Sequence, residues 1–399
     1  MWKPILCNNS KAEAKIHEIA NVLIEKSNLE KTPGFFSGLT GVAVFFAYYD
    51  KYCGNQKHNS LIEELIEKAF AEIEANWVSS SFCTGLSGIF WAVEHIQENF
   101  EVNLYNNFEE LHEVLKKEMN LHAGNNYFDY LHGANGIFYY LMKHSKSLDY
   151  AVLDNHVQTL SQFAIVNENQ VKWESYIDPD SPRKVYNLSL SHGISSTIIF
   201  LCQFLNKFPN HQEAKKLRNG AIDFLLNSKN PPNGDFKSLY PGTTTDTNRF
   251  GNSRLGWCYG DISHALALFA AGKYTGVQNY TAEALNIMDF ASSRKDTDLD
   301  SIRDAPFCHG TSGLAHIFNR FYQSTNNLLY KETALYWYNK TLEMDVFEDG
   351  FGGYKMFTQD RGWVNSISLL EGTAGIGLTL LAAVSKNTPL WDSALLLDF

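Results

Sequence analysis

Apolar residues fall along this chain in two alternating kinds of block. One kind is apolar on every side: Val42 to Tyr49, Ile89 to Val93, Ile137 to Met142, Ile198 to Phe204, Ala265 to Ala271, Leu314 to Phe318 and Ile376 to Ala383. Helices without a polar face are buried helices. The other kind, in Ala12 to Glu25, Leu61 to Ile73, Leu217 to Leu226 and Thr281 to Phe290, spaces apolar residues three and four apart with charges between them. That spacing predicts amphipathic helices lying on the outside of a core.

Each all-apolar block follows a glycine turn. The turns are Phe36-Ser-Gly-Leu-Thr-Gly41, Cys83-Thr-Gly-Leu-Ser-Gly88, Leu131-His-Gly-Ala-Asn-Gly136, Ser191-His-Gly-Ile-Ser-Ser196, Cys258-Tyr-Gly-Asp-Ile-Ser263, Cys308-His-Gly-Thr-Ser-Gly313 and Leu370-Glu-Gly-Thr-Ala-Gly375. Their first glycines, at 38, 85, 133, 193, 260, 310 and 372, stand 47 to 67 residues apart, near the period of a helix-pair array with insertions. An outer helix, a glycine turn and an inner helix, repeated seven times, predict an all-α fold: an α/α toroid of about fourteen helices. An open solenoid is the alternative, but it needs polar capping repeats, and the first and last copies are as apolar as the middle ones. The expectation is a single domain over residues 1–399, its turns facing one mouth. Glycine at each turn permits positive φ and close backbone approach, and leads into a helix N-terminus.

The residue before each first glycine is Ser37, Thr84, His132, His192, Tyr259, His309 or Glu371, and Cys83, Cys258 and Cys308 stand one place earlier. Polar groups converging at the starts of such apolar helices are not explained by core filling alone. Cys258, Cys308 and His309 together offer two thiolates and an imidazole, a zinc set one ligand short of closure, which is the pattern of a catalytic site. A buried cysteine is also a small hydrophobic filler; the shared repeat slot favours the ligand reading. His132 and Glu371 read at least as well as helix-start caps. His122, His264 and His316 stand outside the slot and read as surface or supporting groups. Cys7, Cys53 and Cys202 read as structural or incidental.

Composition narrows the classes. With 14% aromatic and 19% charged residues, the chain has the material for packed helix layers and not for disorder. A net charge of −11, with no Lys/Arg cluster, argues against nucleic acid as a partner. No stretch reaches the roughly 18 apolar residues of a spanning helix, and the start, Met1-Trp-Lys-Pro-Ile-Leu-Cys-Asn-Asn, has no signal-peptide pattern. Six cysteines without a secretory signal point to a reducing compartment, the cytoplasm. The intervals before His192 and Cys258 are long, and Lys229 to Asp235 and Tyr240 to Asp246 are candidate substrate loops.

The seven turns, with Trp257-Cys-Tyr-Gly260, Cys308-His-Gly310 and His192-Gly193 in this order, resemble the lanthionine synthetase C (LanC) family. These are the cyclases of class I lanthipeptide biosynthesis and their stand-alone relatives, and the resemblance covers nearly the whole chain. It implies an α/α toroid with one zinc ion per chain, held by Cys258, Cys308 and His309, whose open position takes water or a substrate thiol. It implies an enzyme that adds a peptide cysteine to dehydroalanine or dehydrobutyrine, making lanthionine or methyllanthionine rings. The family's acid/base histidine falls on His192, its active-site carboxylate on Asp129, its arginine four before the first zinc cysteine on Arg254, and its tyrosine on Tyr259. Ser189, Ser196 and Ser263 stand where glycines are usual and bear on loop shape. The implied partners are a dehydrated precursor peptide, a separate dehydratase and an exporter, in a bacterial cytoplasm, with any membrane reached through partners. Two further functions fit the same residues: a relative that adds glutathione to dehydroamino acids, and a zinc-bearing scaffold that binds peptide without turnover.

Overall fold

The structure, a computed structural model, describes residues 2–104, 108–144, 150–176 and 184–399. Fourteen α-helices are found among them: α1 (Ser10–Ser27), α2 (Leu39–Cys53), α3 (Asn59–Ala75), α4 (Leu86–Asn99), α5 (Glu109–Gly124), α6 (Ala134–His144), α7 (Tyr150–Gln162), α8 (Ile194–Lys207), α9 (Gln212–Asn227), α10 (Asp261–Thr275), α11 (Gln278–Ser293), α12 (Thr311–Thr325), α13 (Leu328–Glu343) and α14 (Thr373–Val384). Seven short strands join them: β1 (Ile165–Asn167), β2 (Gln170–Lys172), β3 (Ser175–Tyr176), β4 (Lys184–Asn187), β5 (Thr243–Thr244), β6 (Met356–Thr358) and β7 (Gly362–Val364). No helix among the described residues is long and apolar enough to cross a membrane.

The first glycine of every turn immediately precedes an even-numbered helix. These inner helices are buried almost throughout: Thr373 to Ala383 in α14, Asp261 to Gly272 in α10 and Leu39 to Asp50 in α2. Helix propensity does not explain α14, which carries Gly375 and Gly377, each costing about 1 kcal/mol relative to alanine. Burial does, since each fully buried Leu or Ile is worth roughly 1.5–3 kcal/mol. The odd-numbered helices bury one stripe only, as α1 does through Ala12, Ile16, Ile19, Ala20 and Leu23. Side-chain caps set some of their starts: Asn9 Oδ1 accepts the Ala12 N–H, and His211 Nδ1 accepts the Ala214 N–H.

The chain forms two compact units, residues 1–108 with 302–398, and residues 109–301 with Phe399. In the first, α2 packs on α3 and α12 on α13, each of these inner helices on the outer helix that follows it. The outer partner of α14 is α1, from the other end of the chain. Trp2 Nε1 donates to Ala382 O at 2.7 Å, and the Ile5 N–H donates to Ala383 O at 2.9 Å, fastening the two ends. The β6–β7 hairpin pairs Met356 with Val364. In the second unit, α8 packs on α9 and α10 on α11. A β1–β2 hairpin and an antiparallel β3–β4–β5 sheet fill two of the longer intervals between turns.

Within each unit the turns are laced together by backbone bonds between equivalent residues, those two places before the first glycine. Cys308 N donates to Leu370 O at 2.9 Å, Leu370 N to Phe36 O at 3.0 Å, and Phe36 N to Cys83 O at 3.0 Å. In the second unit Leu131 N donates to Ser191 O at 3.3 Å and Ser191 N to Cys258 O at 3.4 Å.

The reason for the first glycine is mostly space. At Gly193, φ is −146°, extended backbone open to any residue, but a Cβ would sit 2.2 Å from Asn187 O. Gly260 combines both demands, with φ at +92° and a Cβ position 2.0 Å from Arg254 O. Positive φ, expected at the turns generally, is therefore confined to Gly260 among these seven first glycines.

Candidate active site

His192 lies in the turn before α8, where burial and one carboxylate set its chemistry. Its Nδ1 is 2.6 Å from Asp129 Oδ2. Burial pushes the imidazole pKa down, but the charge and hydrogen bond of Asp129, with the Cys258 sulfur, outweigh it and hold the pKa above its ordinary value. On the neutral ring, Nδ1–H donating to Asp129 leaves the Nε2 lone pair to take a proton.

Asp129 earns its place through the repeat. In four turns, the residue four before the first glycine accepts the N–H three residues on: Ser81 Oγ from Thr84, Asp129 Oδ1 from His132, Ser189 Oγ from His192 and Ser368 Oγ from Glu371. Three of these four residues are serines, which bring one oxygen. Asp129 brings two, so one oxygen braces its own turn while the other orients His192. The serine at 189, where a glycine was expected, has the bracing role in the His192 turn itself.

His192 and Asp129 line a cavity of about 530 Å³ in the second unit. Tyr259 lines it too, its ring centroid 5.9 Å from that of His192, and its hydroxyl accepts from Asn187 Nδ2 at 3.1 Å. Burial raises the Tyr259 pKa, so the phenol keeps its proton at neutral pH. His132 stacks on His192, ring centroids 5.8 Å apart and planes 15° from parallel. Its pKa is lowered, by burial first and by His192, so this ring is the neutral one. His132 thus presents its side chain to the cavity as well as its backbone to the Asp129 brace. Sequence reasoning missed Trp173, Tyr186, Asn187 and Phe224 in this wall. It also expected substrate loops at 229–235 and 240–246, yet neither contributes to the lining.

Cys258 is buried, and its carbonyl accepts both the backbone N–H and the hydroxyl of Ser191. Arg254 is half-buried, its carbonyl lying beneath Gly260. It is not in the cavity lining. In the first unit Cys308 is buried and His309 half-buried at the turn before α12. Asp304 stands behind His309, Oδ2 to Nε2 at 4.0 Å, and Oδ2 accepts the Phe357 N–H at 2.9 Å. A carboxylate there can set which face of the imidazole points to a metal. His264 and His316 are not surface groups. Both are fully buried, His264 beside Ser195 Oγ at 3.1 Å and His316 against Asp392 at 2.7 Å. Burial pushes the His264 pKa down to about 4.

The brace gives a clean way to isolate the Asp129 charge. Asp129→Ser copies the residue found at 81, 189 and 368, so it keeps the turn and removes the carboxylate facing His192. Because Asp129 holds the His192 pKa up, its loss lowers that pKa. If neutral His192 is the working base, the acid limb of a kcat/KM–pH profile moves to lower pH in the variant. An unmoved limb would contradict the assignment of His192.

The chain belongs to the lanthionine synthetase C-like protein family, whose model matches residues 30–396. Its fold is similar to that of a solved nisin cyclase, with a TM-score of 0.70 and 17% identity over 96% of this chain and 97% of that one. The likeness bears out the all-α, α/α toroid class expected from the repeat. No curated protein matches the chain.

Proposed function

We propose that this protein is a zinc-dependent lanthipeptide cyclase, acting on a precursor peptide whose serines and threonines a separate enzyme has dehydrated. The observation that carries the reading is the Asp129–His192 pair on the wall of a cavity, in a chain of the lanthionine synthetase C-like family. The family match and the repeat running from residue 36 to 375 support taking the whole chain as one domain.

The donor chemistry of Cys258, Cys308 and His309, two thiols and an imidazole each placed at a helix-opening turn, suits zinc with one position left open. These three residues would hold a zinc ion, which would favour the thiolate form of a substrate cysteine, only a few per cent ionised at neutral pH at a free pKa near 8.5.

The remaining work falls to this chain's own residues. His192 Nε2 accepts the proton that the thiol gives up. The sulfur bonds to the β-carbon of the dehydro residue, and the double-bond electrons move toward its carbonyl oxygen, a developing charge that the Arg254 guanidinium would oppose. The imidazolium of His192, steadied by Asp129, then returns a proton to the α-carbon. No oxidant or leaving group is required, because the reaction adds S–H across one double bond.

Metal content tests the ligand set. Wild type reconstituted and desalted is expected to hold about one zinc per chain, and Cys258→Ala, Cys308→Ala and His309→Ala, each folded by circular dichroism, are expected to lose it. Wild type without zinc after reconstitution would remove the thiol-activating half of the proposal.

A further inference from the structure

The cavity beside His192 is larger than proton transfer requires. Its volume of about 530 Å³ is that of a pocket for a sizeable ligand, and Trp173, Tyr186, Phe224 and Phe128 give it aromatic walls. Contacts behind the wall fix these rings. Trp173 Nε1 donates to Leu160 O at 2.8 Å, and the Tyr186 hydroxyl donates to Asp246 at 2.9 Å. Phe224 stands edge-on to Tyr186 at 5.9 Å. Trp173 and Tyr186 come from the strand-bearing interval between α7 and α8, which the helical repeat does not need.

One polar group in the wall is unsatisfied. Asn126 takes the left-handed conformation, φ 57°, and its buried Oδ1 has no hydrogen-bond partner among the described residues. A buried acceptor in that state is costly unless a ligand supplies a donor. Of the lining carboxylates, Asp129 faces His192 at 2.6 Å and Glu174 is paired with Lys184 at 2.6 Å.

We infer that this cavity is a specificity pocket: it seats a large apolar side chain, aromatic above all, on the residue next to the dehydroamino acid of a peptide substrate. Asn126 Oδ1 accepts a main-chain N–H of the same peptide segment. The substrate class rests on the cyclase reading. The occupant follows from the shared wall, since His192 and Asp129 line the same cavity as the aromatic rings.

The test compares two dehydrated peptides that differ only in Phe or Gly beside the dehydroalanine, with wild type, Trp173→Ala, Trp173→Phe and Phe224→Ala. Wild type is expected to favour the Phe peptide by at least about tenfold in kcat/KM. That ratio falls toward one in Trp173→Ala and Phe224→Ala and is largely kept in Trp173→Phe. Equal rates on the two peptides in wild type, or a ratio that neither alanine variant changes, would overturn the inference. If neither peptide is cyclised, the cyclase reading fails by itself, and fluorescence anisotropy of the labelled peptides decides the pocket. Tighter binding of the Phe peptide, lost in the alanine variants, sustains it; equal affinities overturn it.

Discussion

Replacing His192 by alanine is expected to lower kcat/KM for ring formation by about 10²–10⁴-fold, the usual contribution of a positioned acid/base, with circular dichroism unchanged. The side chain packs in a cavity wall, not in the helix core, and the brace of its turn runs from the His192 backbone N–H to Ser189 Oγ, which alanine keeps. The loss should fall on kcat, because an imidazole in the proposed proton-transfer role contributes little to ground-state binding. His192→Gln is expected to fail nearly as badly, since an amide cannot cycle a proton. A loss in KM alone would make His192 a binding group.

Arg294→Ala is expected to cost about 3–5 kcal/mol of stability at pH 7, the penalty for stranding a buried charge. Arg294 donates to Asp300 Oδ1 and Asp261 Oδ2 at 2.8 Å each, and to the Ser253 carbonyl at 2.9 Å. Asp261 is wholly buried and also accepts the Leu239 and Tyr240 N–H groups. The arginine thereby ties the start of α10 to the strand of chain that leads into Cys258. Burial already raises the Asp261 pKa with the arginine present. A carboxyl whose pKa is higher folded than unfolded favours the folded state as pH falls, because the folded form then takes up the proton first. Removing Arg294 pushes that pKa further up, so the deficit should shrink as pH is lowered from 7 toward 5. Urea unfolding at the two pH values reads both effects, and an equal deficit at each would contradict the ion-cluster account.

The repeat was legible because the requirement behind it is severe. A carbonyl 2.2 Å or less from the Cβ position of Gly193 or Gly260 admits only glycine, so the turns announce themselves, and the all-apolar blocks after them can only be buried. Outer helices were less distinct. α13 buries Tyr330, Thr333, Trp337 and Thr341, and threonines in the stripe blur its period. Strands two to four residues long are too short for an alternating pattern to register. The pairing of α14 with α1 joins opposite ends of the chain, and no local signal carries it. His316 looked peripheral because its partner, Asp392, lies 76 residues away.

The candidate site divides the same way. His192 stands in the repeat slot and could be found there. Asp129 entered through family resemblance alone, although a signal was available: it occupies the bracing slot that holds serine at 81, 189 and 368. A carboxylate in a place served elsewhere by a hydroxyl has an oxygen to spare. The aromatic wall had no such mark, since Trp173, Tyr186 and Phe224 meet only when the chain folds.

The most direct measurement gives zinc-loaded protein a dehydrated peptide with one cysteine and one dehydroalanine, in the presence of glutathione, followed by thiol alkylation and mass spectrometry. Cyclisation predicts a peptide of unchanged mass that no longer takes up the alkylating reagent, and no such product with His192→Ala. A glutathione adduct on the peptide, or a peptide that remains fully alkylated, would contradict the cyclase account and leave a glutathione-adding enzyme or a binding scaffold in its place.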